Sequence, residues 1–529
     1  MNEGWENLHW NENHPYAGRW IARIREQIIS QGGSPQQALA SAYTSRFKEI
    51  PIISYIPLQK LMTFSPVFFE IQTILNDNSG VYLVGGAVRD ALTGRVSHDL
   101  DFVCKSNAKQ IARKTAAALQ ADYFPLDLER GIYRVIHHLP ENQAEIIDFS
   151  ELRGPDLEQD LVLRDFSINA MSVDLQSPNQ LIDPLGGAQA LRDHLLTACS
   201  PNSFIQDPIR VLRGIRFAAE WNFRLEDHTR RWMKTAAPFL AETTIERRRD
   251  ELMKILASGR PDTALRALDW LNALEYVLPG FQATRQEYGK EWWNNLLSQI
   301  NSIKMLLAVL AVDHPHEQAG DWVSGLVAMK LGRFKTELSR HILDPIQPNY
   351  QRIAMIYLGM LCSGMAKENA ANGFIDKLGV KLKFSRREID YLSNFAICRQ
   401  DCSDLAQNPR LPTPVDIYRY YLKRGSTGVD AVFGFLGEMH AKTRFAADQS
   451  IFTTAVDLGQ ALLDGWWNHQ EWINPEAVID GNDIIHALKI SAGPEVGKWL
   501  DLIKEKQVAG KIHSRQQALD WVKSEFERS

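Results

Sequence analysis

The stretch Leu83-Val84-Gly85-Gly86-Ala87-Val88-Arg89-Asp90, followed by His98-Asp99-Leu100-Asp101-Phe102, limits the fold more than any other part of the chain. Val81 to Val84 reads as a buried strand that runs into a glycine pair and then a helix. Two glycines at such a turn let backbone approach a ligand closely, and a helix start presents free N–H groups to an anion. In the second half Leu100 and Phe102 point one way, while Asp99 and Asp101 point the other. Two carboxylates on one strand face repel each other unless a cation sits between them. Hard oxygen ligands of this kind suit Mg²⁺, which is normally shared with substrate phosphates. The stretch therefore predicts a phosphate cradle beside a magnesium-binding carboxylate pair.

At 529 residues the chain is too long for one core and should hold several domains. With a net charge of -5 it is no bulk polycation, so any nucleic-acid surface must be a local basic patch. Cys104, Cys199, Cys362, Cys398 and Cys402 lack metal-ligand spacing, which suits a reducing cytoplasmic compartment. The opening, Met1-Asn2-Glu3-Gly4-Trp5, has neither the basic start nor the apolar stretch of a signal peptide. No run approaches the ~18–20 apolar residues of a membrane span, so no membrane partner is expected.

Residues 1–66 carry Trp5, Trp10 and Trp20 and a helix expected over Ala38 to Phe47; they read as an accessory segment packed on the next domain. From Phe69 helix and strand alternate, with a helix over Ala108 to Leu119 and strands over Arg134 to His138 and Glu145 to Phe149. From Gln189 the chain is nearly all helical in period, as in Leu265 to Leu278, Met305 to Val312 and Arg352 to Cys362. Gln407 to Pro414 is the clearest internal loop. The expected class is α+β. A small mixed-sheet head spans 67–185, followed by an all-α neck at 186–260, body at 261–470 and tail at 471–529.

Two further constellations carry chemistry. In Asp160-Leu161-x-x-Arg164-Asp165-Phe166-Ser167-Ile168-Asn169-Ala170-Met171, apolar Phe166 and Ile168 alternate with Arg164, Asp165 and Asn169, as in a turn that displays polar groups into a cleft. In Gln206-Asp207-Pro208-Ile209-Arg210-Val211-Leu212-Arg213-Gly214-Ile215-Arg216-Phe217, Pro208 fits the first turn of a helix with Asp207 near its cap. Arg210, Arg213 and Arg216 form a drifting basic stripe on that helix, and Asp207 and Arg210 share one face. Such a pair can read a base edge, the carboxylate accepting from an exocyclic amine and the guanidinium donating to the adjacent ring nitrogen. Cytosine and adenine present that pattern; uracil and guanine do not.

Gly85-Gly86 with Val88-Arg89-Asp90 and then Asp99-x-Asp101 resembles motif A of the DNA polymerase β-type nucleotidyltransferases. Within that superfamily the chain is most similar to the class II tRNA nucleotidyltransferases (CCA-adding enzymes) and bacterial poly(A) polymerases. The Asp160–Met171 stretch resembles motif B, Asp183-Pro184-Leu185-Gly186-Gly187 motif C, the Gln206–Phe217 stretch motif D, and Thr244-Ile245-Glu246-Arg247-Arg248-Arg249-Asp250-Glu251-Leu252 motif E. Ile479-x-Gly481-x-Asp483-Ile484-Ile485 and Gly493-Pro494-x-x-Gly497-Lys498 resemble the tail that holds the tRNA elbow. The likeness runs from about Leu83 to about Val508, with residues from about Trp292 to Glu471 matching poorly.

The resemblance implies a magnesium-dependent enzyme that adds nucleotides from CTP or ATP to the 3′ acceptor end of tRNA. Asp99 and Asp101 would hold Mg²⁺. A third carboxylate normally joins such a pair, and Glu145 and Asp148 point to opposite faces, so only one can serve; Asp148 is preferred. Gly85, Gly86 and Arg89 would hold the triphosphate, and Arg164 and Asp165 the ribose, with Asn169 in support. Asp207 and Arg210 would read the base, beside Arg213 and Arg216. Basic side chains from Arg224 to Lys234 lie where an RNA acceptor end could enter.

Two departures bear on the finer activity. The family's motif D begins with Glu, and this chain has Gln206, which lacks the charge that would hold an arginine. The segment from Phe149 to Gln159 looks shorter than the flexible loop that CCA-adding enzymes carry between motifs A and B. In the family, loss of that loop marks enzymes that add only the two cytidines, so the two departures favour CC addition. Full CCA addition, A addition and poly(A) synthesis are the rivals within the family. A non-catalytic RNA-binding protein has no need of the repulsive Asp99–Asp101 pair. A nucleotidyltransferase for small molecules would leave the neck and tail motifs unexplained. His314 to His316 lacks the His-Asp pairing of a metal-dependent phosphohydrolase and reads as a loop without metal.

Overall fold

The computed structural model describes residues 16–25, 27–44, 49–56, 62–140, 143–311, 322–366, 373–444 and 449–528. Trp5, Trp10, Phe47 and His314 to His316 lie outside them. The chain divides into two compact units, one up to Glu242 and one from Thr243.

The first unit opens with a three-stranded antiparallel sheet, β1 (Arg19–Ile24), β2 (Gln27–Gly32) and β3 (Ile52–Ile56), with α1 (Pro35–Thr44) beside it. The small sheet is fastened to the next one. Trp20 Nε1 donates to the Leu181 carbonyl at 3.2 Å, and the Asp183 N–H donates to the Gly33 carbonyl at 2.7 Å. A side chain at Gly33 would collide with the Asp183 carbonyl, so that approach requires glycine.

Next come α2 (Pro66–Ile74), β4 (Val81–Val84), α3 (Gly86–Thr93), β5 (Asp99–Cys104), α4 (Ala108–Leu119), β6 (Asp122–Asp127), β7 (Ile132–His138), β8 (Ala144–Glu151), α5 (Leu157–Val162), β9 (Ser172–Asp174) and β10 (Ser177–Ile182). Their strands form one seven-stranded sheet in the order β10-β9-β4-β5-β8-β7-β6. Only β5 and β8 pair in parallel, so this is the mixed sheet of an α+β head. Strand β4 is apolar at all four positions and buried at all four, as a strand covered on both faces must be. Strand β5 alternates at its start, Leu100 and Phe102 buried and Asp99 exposed.

One face of the sheet is closed by α2 and α4. Phe68, Phe102 and Phe149 stack there with centroids 6.3 and 5.2 Å apart, directly behind Asp101 and Asp148. The unit ends with α6 (Gly187–Arg192), β11 (Leu195–Leu196), α7 (Ser203–Gln206), α8 (Arg210–Trp221), β12 (Arg224–Leu225) and α9 (Asp227–Ala236). Asp183 caps α6 through Gly187 N–H at 2.6 Å and Ala188 N–H at 2.9 Å, which makes the motif C stretch a joint.

The second unit is helical from Ile245–Ala257 to Arg515–Phe526. Side chains of Thr244, Ser385, Thr413, Asp480 and Ser514 cap helix starts. The helical stretch expected over Leu265 to Leu278 is interrupted: a helix ends at Trp270, Asn272 takes φ 58°, and a short helix resumes at Leu274. Ile479, Ile484, Trp499, Ile503 and Val522 give the tail its own small core.

Candidate active site

Gly85 joins β4 to α3 with φ 78° and ψ -139°, a region that side chains avoid. A side-chain carbon there would stand 3.4 Å from Asp101 Oδ2 and 3.5 Å from Arg164 Nη1. Strand β5 and the turn after α5 therefore converge on one backbone position.

Asp99 and Asp101 share a face of β5. Burial pushes the Asp101 carboxyl up to about 6; Asp99 and Asp148 add repulsion, against Arg164 and Arg134. Burial and then Asp148 also raise Asp99, opposed by Arg134. The donor set is hard oxygen and short of positive charge, which fits a divalent cation. Among the described residues no three His, Cys, Asp or Glu side chains are grouped to hold a metal. Two carboxylates thus leave most of a cation's coordination to phosphate oxygens and water, the usual situation of Mg²⁺.

The structure separates the two candidates for a third carboxylate. Asp148 is the register partner of Asp101 on β8, and Arg134 on β7 is the register partner of Asp148. Arg134 grips it with Nε and Nη2 at 2.8 and 2.7 Å, a bidentate pair that offsets its charge. Glu145 faces the other way, accepting from Ser65 Oγ at 2.9 Å with His98 Nδ1 3.3 Å away. Asp148 is thus a charged neighbour of Asp101 that is already paired. Sequence reasoning missed Arg134, because nothing pairs it with Asp148 until the hairpin register is known.

Arg164 is held by Asp160, which is fully buried on α5. Asp160 Oδ2 accepts from Arg164 Nε and Nη2 at 3.2 and 3.0 Å, and Oδ1 accepts from the N–H and Nε of Arg153, both at 3.1 Å. Burial alone would raise Asp160, yet Arg164 and Arg153 together hold it below the ordinary carboxylate range. Sequence reasoning gave Asp160 no role; its i, i+4 spacing to Arg164 was the available signal. Only residues 152–156 separate β8 from α5, and Arg153 pins that short connection to Asp160.

The remaining expected ligands are joined to one another. Asp165 Oδ2 accepts from Arg213 Nε and Nη2 at 2.9 and 2.7 Å. Its Oδ1 accepts from the Phe166 N–H at 2.8 Å and from Asn169 Nδ2 at 3.2 Å. Asn169 Oδ1 in turn accepts from Arg89 Nη1 at 2.7 Å, and Arg89 Nε donates to Asp90 at 2.9 Å. A hydrogen-bonded chain thus runs from α3 through the motif B turn to α8. Burial opposes the Asp165 charge, but Arg213, Asn169 and the Phe166 N–H outweigh it and lower its pKa. Arg89 also lies over the Trp221 ring, 4.7 Å from its centroid.

Helix α8 does not present its arginines as one stripe. Arg210 turns back, with Nη1 donating to Ser203 Oγ at 2.7 Å and the Arg164 carbonyl at 3.2 Å, and Nη2 to the Leu163 carbonyl at 2.9 Å. Arg213 goes to Asp165, and Arg216 to Glu220 at 3.1 Å and over Phe217. Asp207 sits in extended backbone between α7 and α8, and its carbonyl accepts the Arg210 N–H at 3.1 Å. Gln206 closes α7 and is exposed.

Comparison with known proteins agrees with this layout. The family described as the poly A polymerase head domain matches residues 81–197. The family described as a probable RNA and SrmB-binding site of polymerase A matches residues 222–284. An A-adding tRNA nucleotidyltransferase of Deinococcus radiodurans is 38% identical over 470 residues, covering 84% of this chain and 95% of that enzyme. The chain belongs to the tRNA nucleotidyltransferase family.

The family is one of enzymes, generally dependent on a divalent metal. A CC-adding tRNA nucleotidyltransferase of Geobacter sulfurreducens is 42% identical over 177 residues, a match confined to 34% of this chain and 40% of that relative. An apo CCA-adding enzyme shares the fold, with a TM-score of 0.58 at 21% identity over 87% of this chain and 93% of the other. Among the described residues no helix is long and apolar enough to cross a membrane.

Proposed function

We propose that this protein extends the 3′ end of tRNA by template-independent nucleotidyl transfer, adding the two cytidines of the CCA terminus from CTP. The observation that carries the reading is the meeting of Asp101 and Arg164 over the bare backbone of Gly85. A carboxylate, a guanidinium and a helix start around one glycine can receive a triphosphate beside a cation.

In this reading Asp99 and Asp101 would hold magnesium, whose chemistry is to offset negative charge on the α-phosphate and to make the 3′-hydroxyl of the RNA easier to deprotonate. Gly85 and Gly86 admit the triphosphate; Arg164, expected at the ribose, is held by Asp160 beside Gly85 and is given to the phosphates instead. Asp165, Asn169 and Arg213 act as a braced unit that shapes the ribose side, and Arg89, expected at the triphosphate, is bonded to Asn169 and Asp90 and joins that brace instead. Asp207 and Arg210 read the base, and Arg210 exchanges a carbonyl partner to do so. Arg134 and Asp148 shape the acceptor side. A tRNA substrate and five cysteines that are all free thiols suit the cytoplasm.

Support for CC addition comes from the five-residue connection at 152–156, pinned by Arg153, and from Gln206 in motif D. The second reading is A addition, favoured by the 38% identity to an A-adding enzyme over most of the chain. A transfer assay separates them, using tRNA lacking its last three nucleotides and tRNA ending in CC, each given CTP, ATP or both. CC addition leaves the CC-ended RNA unextended in every lane. Adenosine incorporated there overturns the CC assignment.

A further inference from the structure

The two rungs of the sheet that carry Asp99 and Asp101 continue to its far edge. Asp101, Asp148, Arg134 and Phe124 are successive register partners on β5, β8, β7 and β6. Asp99, Ile146, Ile136 and Asp122 form the next rung. Register partners point to the same side of a sheet, so Phe124, Arg134, Ile136 and Ile146 share the face of the carboxylate pair.

The two sides of this half-sheet differ sharply. Behind it, Val135, Ile147 and Phe149 are buried in the core that includes α4. In front, the strands near β4 are closed by Leu161 and Ala170, packed on Val84 and Val103. Beyond Asp148 that cover stops. Phe124 is 38% exposed, Leu126 at the neighbouring bulge is 45% exposed, and Ile136 and Ile146 are half-buried. An aromatic ring, two branched aliphatics and a flat, neutralised guanidinium are left facing outward, with Asp122 and His138 at the rim. The remaining charge on this face of the edge hairpin is confined to that rim, where Asp122 and His138 pair at 3.0 Å beyond Ile136. The surface is also continuous with the carboxylates at one end.

We propose that this floor is the binding site for the single-stranded 3′ end of the RNA acceptor, whose last bases lie on Phe124, Arg134, Ile136 and Ile146. The inference rests on the proposed transfer activity and extends it. In an in-line displacement the attacking oxygen and the leaving pyrophosphate stand on opposite sides of the α-phosphorus. The triphosphate side is set by Gly85 and Arg164, on β4 and the turn after α5. The 3′-hydroxyl must then arrive from the β8 side, and the strand that bears it passes over β7 and β6. Bases of any sequence stack on an aromatic ring or a guanidinium plane, which suits an acceptor end whose last residue changes after each addition.

The test uses a hairpin RNA with a single-stranded 3′ end carrying 2-aminopurine at its last position. Wild-type protein and the Phe124→Tyr variant should quench the probe, and Phe124→Ala should not. In Phe124→Ala the KM for acceptor RNA should rise about 5- to 100-fold, the range expected for loss of one base–aromatic stack. The dissociation constant for CTP, measured without RNA, should stay put. Phe124 is exposed, so its replacement leaves the core intact. Unquenched probe on the wild type, or quenching and acceptor KM that ignore Phe124, overturns the floor. Quenching that depends on Phe124 in a protein that transfers nothing would uphold the floor and sink the transfer reading instead.

Discussion

Asp101 Oδ2 and Arg164 Nη1 lie 3.4 and 3.5 Å from the point that a side-chain carbon would occupy on Gly85. A strand carboxylate and a guanidinium held by Asp160 thus face the same stretch of bare backbone. The absence of a side chain there is itself part of the site.

Gly85→Ala should therefore damage both backbone and site. The Gly85 dihedrals, φ 78° and ψ -139°, are costly for alanine, on the order of 1–3 kcal/mol. The added methyl also touches both charged groups. Transfer should fall by ~100-fold, the scale on which small misplacements act, with a few degrees' loss in melting temperature. Near-normal kcat in a stable Gly85→Ala protein would contradict the assignment of this turn to the phosphates.

Metal-free protein should be more stable at mildly acidic pH than at neutral pH, as far as Asp101 is concerned. Its carboxyl is raised from 3.8 to about 6, so between those values the folded chain keeps a proton that the unfolded chain releases. The contribution is fully present below the unfolded pKa and is lost as pH rises through the folded one. A shift of this size corresponds to about 3 kcal/mol. Asp101→Asn, which keeps the shape and removes the charge, should raise the melting temperature in a chelator at pH 7.5 and flatten its pH dependence between pH 4 and 6. Added magnesium should stabilise the wild type more than the variant. Equal pH profiles for the two proteins would show that Asp101 carries no such strain.

The Asp165–Arg213 pair should behave as a structural brace. Arg213→Gln leaves a 6% exposed carboxylate without its bidentate partner, which costs about 3 kcal/mol even after allowance for the partly exposed arginine. The double variant Asp165→Asn with Arg213→Gln should recover part of that loss, and a double-mutant cycle on thermal unfolding measures the coupling. Additive losses would mean that the two side chains are not coupled in solution.

The sequence was legible where a local pattern determines the outcome. Helix α4 falls on the expected residues because its apolar spacing follows the helical period, and strand β4 because a short apolar run ends at a glycine pair. The carboxylate pair, the glycine turn and the shaped joint at Asp183 came from alternation and turn chemistry. What stayed hidden depends on partners far away in sequence. Arg89 and Asn169 are 80 residues apart, and Asp165 and Arg213 are 48 apart. Helical spacing shows that Arg210, Arg213 and Arg216 drift around α8, but not that each finds a different partner. The helix expected from Ala38 instead starts at Pro35, and Asn272 breaks the one expected over Leu265 to Leu278.

The most direct measurement is magnesium-dependent incorporation of labelled CTP into tRNA lacking its last three nucleotides, by wild-type protein and by Asp101→Ala. The wild type should add cytidines. The variant should add none, with a melting temperature no lower than that of the wild type. Incorporation by Asp101→Ala at the wild-type rate, or none by the wild type on this RNA, would contradict the role given to the carboxylate pair.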